Sequence, residues 1–153
     1  MAVAYRLCEF RTATRSQPPD KDCVDIARGH GLVVIRDTKQ DWGSATDAHV
    51  VLSAADFDEV QHALRDTDVR GPEIPSEVLA GCVLRFDRQR RDHTVLTCAV
   101  DKAGDGPSAP LVYTDAEIVA WLDGVANHEF DQDTIATQHD GTCQCDGLTL
   151  AVA

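Results

Sequence analysis

The chain is poor in basic residues and has no long apolar run. Its 153 residues include 14 Lys and Arg against 26 Asp and Glu, which gives a formal net charge of −12 at pH 7. A protein that binds nucleic acid or an anionic membrane through its own field needs a basic patch, so we expect neither role. No apolar stretch approaches the roughly 18 residues of a membrane span.

Targeting and catalytic signatures are also missing. The opening MAVAYRLCEFR lacks the basic start and apolar run of a secretory signal, which predicts a cytoplasmic protein. No Gly-x-Gly-x-x-Gly, phosphate loop or serine elbow occurs, so we expect no enzyme and no cofactor. Because the cytosol keeps thiols reduced and a chain of this length needs no staples, free thiols are expected at Cys8, Cys23, Cys82, Cys98, Cys143 and Cys145.

An internal repeat organises what is present. Residues 48–65 read AHVVLSAADFDEVQHALR and residues 109–126 read APLVYTDAEIVAWLDGVA, an offset of 61. Each copy has a β-branched run, then Ser or Thr, then an acid three residues later, then an amphipathic stretch. Ser53 with Asp56 and Thr114 with Glu117 fit the N-cap and N3 positions of two helices.

The apolar positions of the two predicted helices coincide under the same offset. They follow the i, i+3, i+7 spacing of a helix with one buried face, so we assign to the core Phe57, Val60 and Leu64 in the first copy, and Ile118, Trp121 and Val125 in the second. For Trp121 an interface anchor is the alternative. Cys23 and Cys82 occupy matching positions, interpreted as small buried residues at the starts of two strands.

A hairpin precedes the helix in each copy. In the first, residues 23–28 and 32–36 alternate as strands around Gly29-His30-Gly31; in the second, strands over 82–87 and 93–102 flank a charged turn at 88–92. We therefore predict an α+β fold of two tandem lobes related by pseudo-twofold symmetry. Each lobe is a three-stranded antiparallel sheet followed by one amphipathic helix that covers one sheet face.

Composition shifts divide the chain. Gly71, Pro72 and Pro75 indicate a linker, so we place the first lobe at 1–66, the linker at 67–80, the second lobe at 81–131 and an acidic, Cys-containing tail at 132–153. Residues 1–70 carry a net charge of −3 and residues 71–153 one of −9, and nine acids follow Lys102, the last basic residue. We expect a charge-driven partner to dock on the second half.

Several short motifs recur in a shared order. The first copy has 23–27 (CVDIA), 34–39 (VIRDTK) and 53–57 (SAADF), and the second has 82–83 (CV), 100–102 (VDK), 111–117 (LVYTDAE) and 124–130 (GVANHEF). Residues 10–16 (FRTATRS) precede the motifs of the first copy. In this order the chain resembles two tandem copies of the BldB-like family of small acidic actinobacterial domains of unknown function (DUF 397). The opening segment of that family has a Trp at the position where this chain has Phe10.

The resemblance implies a regulatory role. Members of that family are typically encoded beside helix-turn-helix regulators of the Xre type, and certain pairs behave like toxin and antitoxin. It therefore implies a non-enzymatic accessory or antitoxin-like partner of a basic regulator, with no direct contact to nucleic acid. Two tandem lobes allow a monomer that imitates a dimer or a homodimer. An acidic DNA mimic that occupies a DNA-binding groove is an alternative.

We assign the partner contacts to charged loop residues and to one apolar anchor. Phe130 is the anchor, between two acids just past the second helix; a helix-terminal packing role is its alternative. The pairs Asp37 with Lys39 and Asp101 with Lys102 could be catalytic. Acid-base chemistry normally needs a histidine or carboxylate partner in a pocket, so ion pairs that order the loops, or partner contacts, are favoured. The assigned contacts are Asp37, Lys39, Asp101, Lys102, Glu129, Phe130 and Asp131.

The tail contains metal-ligand residue types. His139, Cys143 and Cys145 could form a zinc site with Cys8 or His128, but zinc motifs usually separate paired cysteines by two residues. A redox pair is disfavoured because no basic neighbour lowers a thiol pKa. We therefore predict no metal, with a zinc-stabilised module as the alternative.

Overall fold

The computed structural model describes eight strands, two α-helices and one 3₁₀ helix. It describes residues 3–6, 10, 12–13, 24–29, 31–37, 49–90, 93–98, 111–131 and 149–152, with backbone alone at 3–6, 89–90, 93, 96–98 and 149–152. In chain order the elements are β1 (Val3–Arg6), β2 (Val24–Gly29), β3 (Leu32–Asp37), β4 (His49–Ser53), α1 (Ala54–Asp66), the 3₁₀ helix (Ser76–Leu79), β5 (Leu84–Arg90), β6 (His93–Cys98), β7 (Leu111–Thr114), α2 (Asp115–Ala126) and β8 (Thr149–Val152).

The first predicted hairpin is confirmed. Strands β2, β3 and β4 form an antiparallel sheet in that order, and Val24 pairs with Asp37 while Gly29 pairs with Leu32. Gly31 has φ +76°, a left-handed conformation that glycine adopts without steric cost. The turn chemistry therefore sets the register of the hairpin.

The second sheet follows the predicted order with shifted boundaries. Strands β5, β6 and β7 are antiparallel in that order, but β5 begins at Leu84 and continues to Arg90. The predicted start at Cys82 is wrong because the Cys82 amide donates to the Leu79 carbonyl at 3.0 Å, which closes a turn after the 3₁₀ helix. The predicted turn at 88–92 is too long, and the register shifts between Arg88 and Arg90.

Both predicted helix starts are confirmed. The Asp56 amide donates to Ser53 Oγ at 3.1 Å, and Thr114 with Glu117 forms a complete capping box. Each helix ends in a Schellman turn on a non-glycine residue of positive φ, Asp68 at 50° and His128 at 60°. Among the described residues no helix has both the length and the apolar character to cross a membrane.

One continuous core joins the two halves of the chain. The six predicted stripe residues are all buried in a single cluster with residues of both three-stranded sheets. Trp121 is 1% exposed and stacks on Phe86 with ring centroids 5.4 Å apart, so its core assignment is confirmed. The predicted linker contributes too, because Leu79 is buried and the 3₁₀ helix contacts α1 and β5.

The first sheet is buried on both faces. One face lies in the shared core, and the other packs as a second cluster of Phe10, Ala27, Val34 and Val51. On that second face the Arg36 guanidinium donates to Asp25 at 3.0 Å, and both side chains are buried. The expectation of one helix covering one sheet face is therefore incomplete for this sheet.

A third, two-stranded sheet was not predicted. Strands β1 and β8 pair antiparallel, with Val3 opposite Val152 and Arg6 opposite Thr149. The pairing joins the first segment of the chain to the region assigned as a tail, so part of that tail belongs to the folded structure.

Candidate functional site

The sequence-predicted contacts are only partly within the described residues. Four of the seven are described, namely Asp37, Glu129, Phe130 and Asp131. The others, and the weak metal candidates, lie outside the described residues: Lys39, Asp101, Lys102, His139, Cys143 and Cys145, together with the core candidate Cys23.

Phe130 is a core residue and not an exposed anchor. It is 0% exposed, and a Cβ added to Gly124 would lie 2.7 Å from its ring atom Cε2. The left-handed turn at His128 reverses the chain, so that the ring packs back against α2 at the position where glycine leaves room. The expectation of an exposed recognition element is therefore wrong at this position.

A buried arginine ties the end of α2 to the first half of the chain. Arg28 on β2 has a side chain that is 1% exposed, and its guanidinium donates to the Phe130 carbonyl at 3.0 Å. The same guanidinium donates to both carboxylate oxygens of Asp58, at 2.8 and 3.2 Å, and lies over the Phe57 ring. Bidentate geometry of this kind fixes both partners, so Arg28 positions α1 and the α2 terminus together.

A second arginine, Arg65 on α1, also binds the end of α2 and the residues that follow it. Arg65 Nε donates to the Val125 carbonyl at 2.7 Å, and its Nη2 donates to Asp131 Oδ1 at 2.6 Å. His128 Nδ1 lies 2.7 Å from Asp131 Oδ2. We call the set Arg28, Asp58, Arg65, Phe130 and Asp131 the interlobe clasp. Asp131 thus belongs to an internal junction, while Glu129 beside it is half-buried.

The clasp predicts a contribution to stability that depends on pH. Partial burial opposes ionisation of Asp131, but hydrogen bonds and charges from Arg65 and His128 outweigh it and hold the pKa of this carboxyl below its usual value. A depressed folded-state pKa stabilises the fold above the unfolded-state pKa, and this contribution is lost as pH falls through the folded pKa. Asp131→Asn should therefore lower the free energy of unfolding by about 1 kcal/mol at pH 7.

Urea denaturation of the two proteins across pH measures this difference. The gap between wild type and Asp131→Asn should close as pH falls below about 4, the ordinary range of aspartate. A gap of equal size at pH 7 and at the acid end would contradict the assignment of Asp131 as an ionised member of the clasp.

Asp37 also lies inside the protein. It is 3% exposed at the end of β3, so it is not a surface contact as the sequence suggested. Nearby, the Tyr113 hydroxyl of β7 donates to the Arg36 carbonyl of β3 at 2.8 Å. Burial raises the pKa of Tyr113 well above its usual value, and the charges of Asp37, Glu117 and Asp25 add to the rise. The tyrosine is therefore a neutral donor that joins the two sheets.

An acidic surface remains on the outer side of α1. The exposed positions of this helix are Ala55, Asp58, Glu59, His62 and Asp66, with three acids and no Lys or Arg; of the acids, Asp58 is held by Arg28. Asp58, Glu59, His62 and Asp66 lie on one face of the helix, because His62 is three or four residues from each of the other three and Asp66 is eight from Asp58. We call these four residues the acidic helix face. Exposed Glu73 and Glu77 follow in the next segment.

The expected docking of a partner on the second half finds less support in the described acids. Five described acids follow Lys102. Asp115 accepts hydrogen bonds from both Nη atoms of Arg88, Glu117 is buried at the cap of α2, Asp131 is held by Arg65, and Asp123 and Glu129 are half-buried. Charge counting missed this difference because it weighs buried and exposed acids equally. Asp58 and Asp66, each four residues from His62 on a predicted helix, were the available signal.

The described residues offer little that resembles reactive chemistry. Within them no three His, Cys, Asp or Glu side chains come together in a way that could hold a metal ion. Burial raises the pKa of the Cys82 thiol, and the charges of Glu59 and Asp56 raise it further. The thiolate is the nucleophilic form, so Cys82 is a weak nucleophile at neutral pH.

Comparison with known proteins does not add a relative. No protein-family model, curated protein or solved structure matches the chain. The resemblance to the BldB-like family therefore stays a prediction from the motifs, and the function has to be argued from the acidic helix face and the clasp behind it.

Proposed function

We propose that the protein is a non-enzymatic, cytoplasmic regulatory module that binds a basic partner protein through the acidic helix face. The observation that carries the proposal is the composition of the exposed positions of α1, which include acids and no Lys or Arg. The chain as a whole has a net charge of −12, so its field attracts a cationic partner over a longer range than any single contact. Following the motif order, the partner we propose is a helix-turn-helix regulator, in an accessory or antitoxin-like relationship.

Rigidity supports this role for the helix. On its inner side, Phe57, Val60 and Leu64 are buried, and at its two ends the clasp holds Asp58 and Arg65. A binding surface that is already ordered loses less conformational entropy when a partner arrives. The acidic helix face is therefore presented in one arrangement before binding.

We propose further that the two lobes are related by a pseudo-twofold axis. In a twofold arrangement, if element i of one copy contacts element j of the other, then j also contacts i. Contacts between β3 and β7 and between β4 and β6 follow this reciprocal pattern, and α1 contacts α2. Arg28 on β2 and Arg88 on β5 each bind an aspartate of a helix in bidentate fashion. The single chain would thus imitate a homodimer.

Charge reversal on the acidic helix face tests the proposed function. We expect Glu59→Lys to weaken binding of an Xre-type helix-turn-helix regulator from the same genome by about tenfold, close to the 1.4 kcal/mol expected for loss of attraction plus repulsion. The matched control is Asp123→Lys, which makes the same charge change on α2. Titration calorimetry at about 0.15 M salt measures both affinities, and circular dichroism confirms that both variants fold.

Three outcomes would oppose the proposal. They are no binding of the regulator by the wild-type chain, equal losses in the two variants, and an affinity that does not fall when salt rises from about 0.05 to 0.5 M, where screening shortens the range of the field. Adding duplex DNA that carries the regulator's site separates an accessory from a DNA mimic. A ternary complex supports the accessory role, whereas strict competition supports the mimic.

A further inference from the structure

A groove of about 460 Å³ lies between the segment after α1 and the strand β5. Pro72, Ile74 and Pro75 form one wall, and Phe86 and Thr94 lie on the other side. Its volume falls in the range of about 300–1,000 Å³ that is usual for ligand sites. The groove is separate from the acidic helix face and from the clasp, none of whose residues line it.

The groove lies at an edge of the second sheet. Consecutive strand residues point to opposite faces, yet Phe86, Asp87 and Arg88 all line this groove. Thr94 of β6 pairs with Arg88, so the groove covers one face of these two strands and reaches the border of β5, which is an edge strand among the described strands in the order β5-β6-β7. Edge strands offer backbone groups along which an extended peptide can lie.

One residue of the groove lining, Thr94, carries a buried hydroxyl that is not satisfied by the described residues. Thr94 is 2% exposed, and its Oγ1 has no hydrogen-bond partner in the part of the chain that the structure describes. Native proteins rarely leave such a group unsatisfied unless water or a ligand completes it. The nearby Phe86 ring, which stacks on the buried Trp121, supplies an apolar floor beside this hydroxyl.

Charge selects the class of occupant. Arg88 is balanced by Asp115, with which it makes two hydrogen bonds, and its Nε lies 3.6 Å from Glu73. Asp87 is exposed at the same border, so Glu73 and Asp87 outnumber Arg88 and the lining itself carries a net negative charge, with exposed Arg85 just beyond it on β5. A segment that combines apolar side chains with Lys or Arg would meet both the apolar floor and the acidic rim.

We propose that this groove binds a short, extended cationic segment of a partner protein, with an apolar side chain on Phe86 and a backbone polar group hydrogen-bonded to the Thr94 hydroxyl. This inference deepens the proposed function, on which it rests for the choice of a basic protein as partner. The groove is a second contact site besides the acidic helix face, and it selects a partner by its apolar side chains as well as by its charge.

Nuclear magnetic resonance with defined peptides tests the location. The probe is the acetylated and amidated peptide Arg-Leu-Arg-Leu-Arg, added to the full-length ¹⁵N-labelled chain at about 0.15 M salt, where the Debye length is about 8 Å. We expect amide shifts concentrated at residues 73–74, 86–88 and 94. The peptides Arg-Ser-Arg-Ser-Arg and Glu-Leu-Glu-Leu-Glu, which lack the apolar side chains or the positive charge, should cause far smaller shifts. Shifts confined to α1, or no shifts, would overturn the proposal.

Two sets of variants test the chemistry. Thr94→Val keeps the shape of the side chain and removes the hydroxyl, so it should fold with an undiminished melting temperature and bind the peptide about tenfold more weakly, as for one lost hydrogen bond. Unchanged affinity would refute the role of the hydroxyl. The pair Glu73→Gln/Asp87→Asn should weaken binding about three- to tenfold, whereas the matched pair Glu59→Gln/Glu77→Gln, with the same charge change outside the groove, should change it less than about twofold.

The regulator itself separates the two proposals. If it binds and depends on Glu59 but tolerates Glu73→Gln/Asp87→Asn and Thr94→Val, the groove proposal fails and the proposed function stands. If the regulator does not bind while the peptide still maps to the groove, the choice of partner fails and the groove retains its ligand chemistry.

Discussion

Phe130→Ala is expected to lower the free energy of unfolding by about 3–5 kcal/mol, the usual loss for a fully buried Phe. The side chain is 0% exposed, and its ring is in close contact with the α2 backbone at Gly124 and near Ala13. Removing the ring opens a cavity at the junction where the Arg28 guanidinium meets the Phe130 carbonyl. Since domains are typically stable by only about 5–15 kcal/mol, this single change removes a large fraction of the total.

Chemical denaturation measures the effect and distinguishes a core residue from a surface anchor. Val112→Ala is the control, because Val112 is the large hydrophobic residue that stays 38% exposed among the described residues. We expect the control to change stability by less than about 0.5 kcal/mol, as at other surface positions. A Phe130→Ala protein as stable as this control would contradict the burial of Phe130 and restore it as a candidate contact residue.

Arg36→Met is expected to have a similarly large effect, about 3–5 kcal/mol, because it removes one partner of a buried ion pair. The Arg36 and Asp25 side chains are 3% and 7% exposed, and they face each other across β2 and β3. Methionine retains apolar contact near the Phe10 ring, over which the guanidinium lies at 5.9 Å. The dominant loss is thus electrostatic, since the Asp25 carboxylate stays buried without the guanidinium.

A double replacement isolates that electrostatic loss. Asp25→Val/Arg36→Met removes both charges and should recover most of the stability lost in Arg36→Met alone, since apolar pairs of similar volume often replace buried ion pairs at little cost. Thermal unfolding of the single and double variants at pH 7 provides the comparison. Additive losses would show that the two side chains act independently, against the geometry of the pair.

Local signals in the sequence were sufficient for the helices and the first hairpin. Ser53 and Thr114 determine the helix starts through their own neighbours, and the stripe from Phe57 to Leu64 follows from helical periodicity. The Gly31 turn likewise depends on residues adjacent in the chain. Features of this kind are predictable because cause and effect lie within a few residues of each other.

The clasp was not predictable in the same way. Arg28 and the Phe130 carbonyl are 102 residues apart, and Tyr113 and Arg36 are 77 apart. No local pattern indicates which arginine is buried or which acid it binds. The pairing of β1 with β8 is longer in range still, and short apolar strands carry no signal for their partner. The misassignment of Phe130 and Asp37 has the same origin, because burial depends on distant elements.

The shared core bears on how such a chain can evolve. The Phe130 ring of the second half packs near Ala13 of the first half, and Arg28 of the first half donates to the Phe130 carbonyl. The Tyr113 hydroxyl of the second half donates to the Arg36 carbonyl of the first half. A recombination event within residues 67–80 would leave each fragment with exposed apolar surface and buried polar groups without partners. We therefore expect neither half to be stable as a separate module.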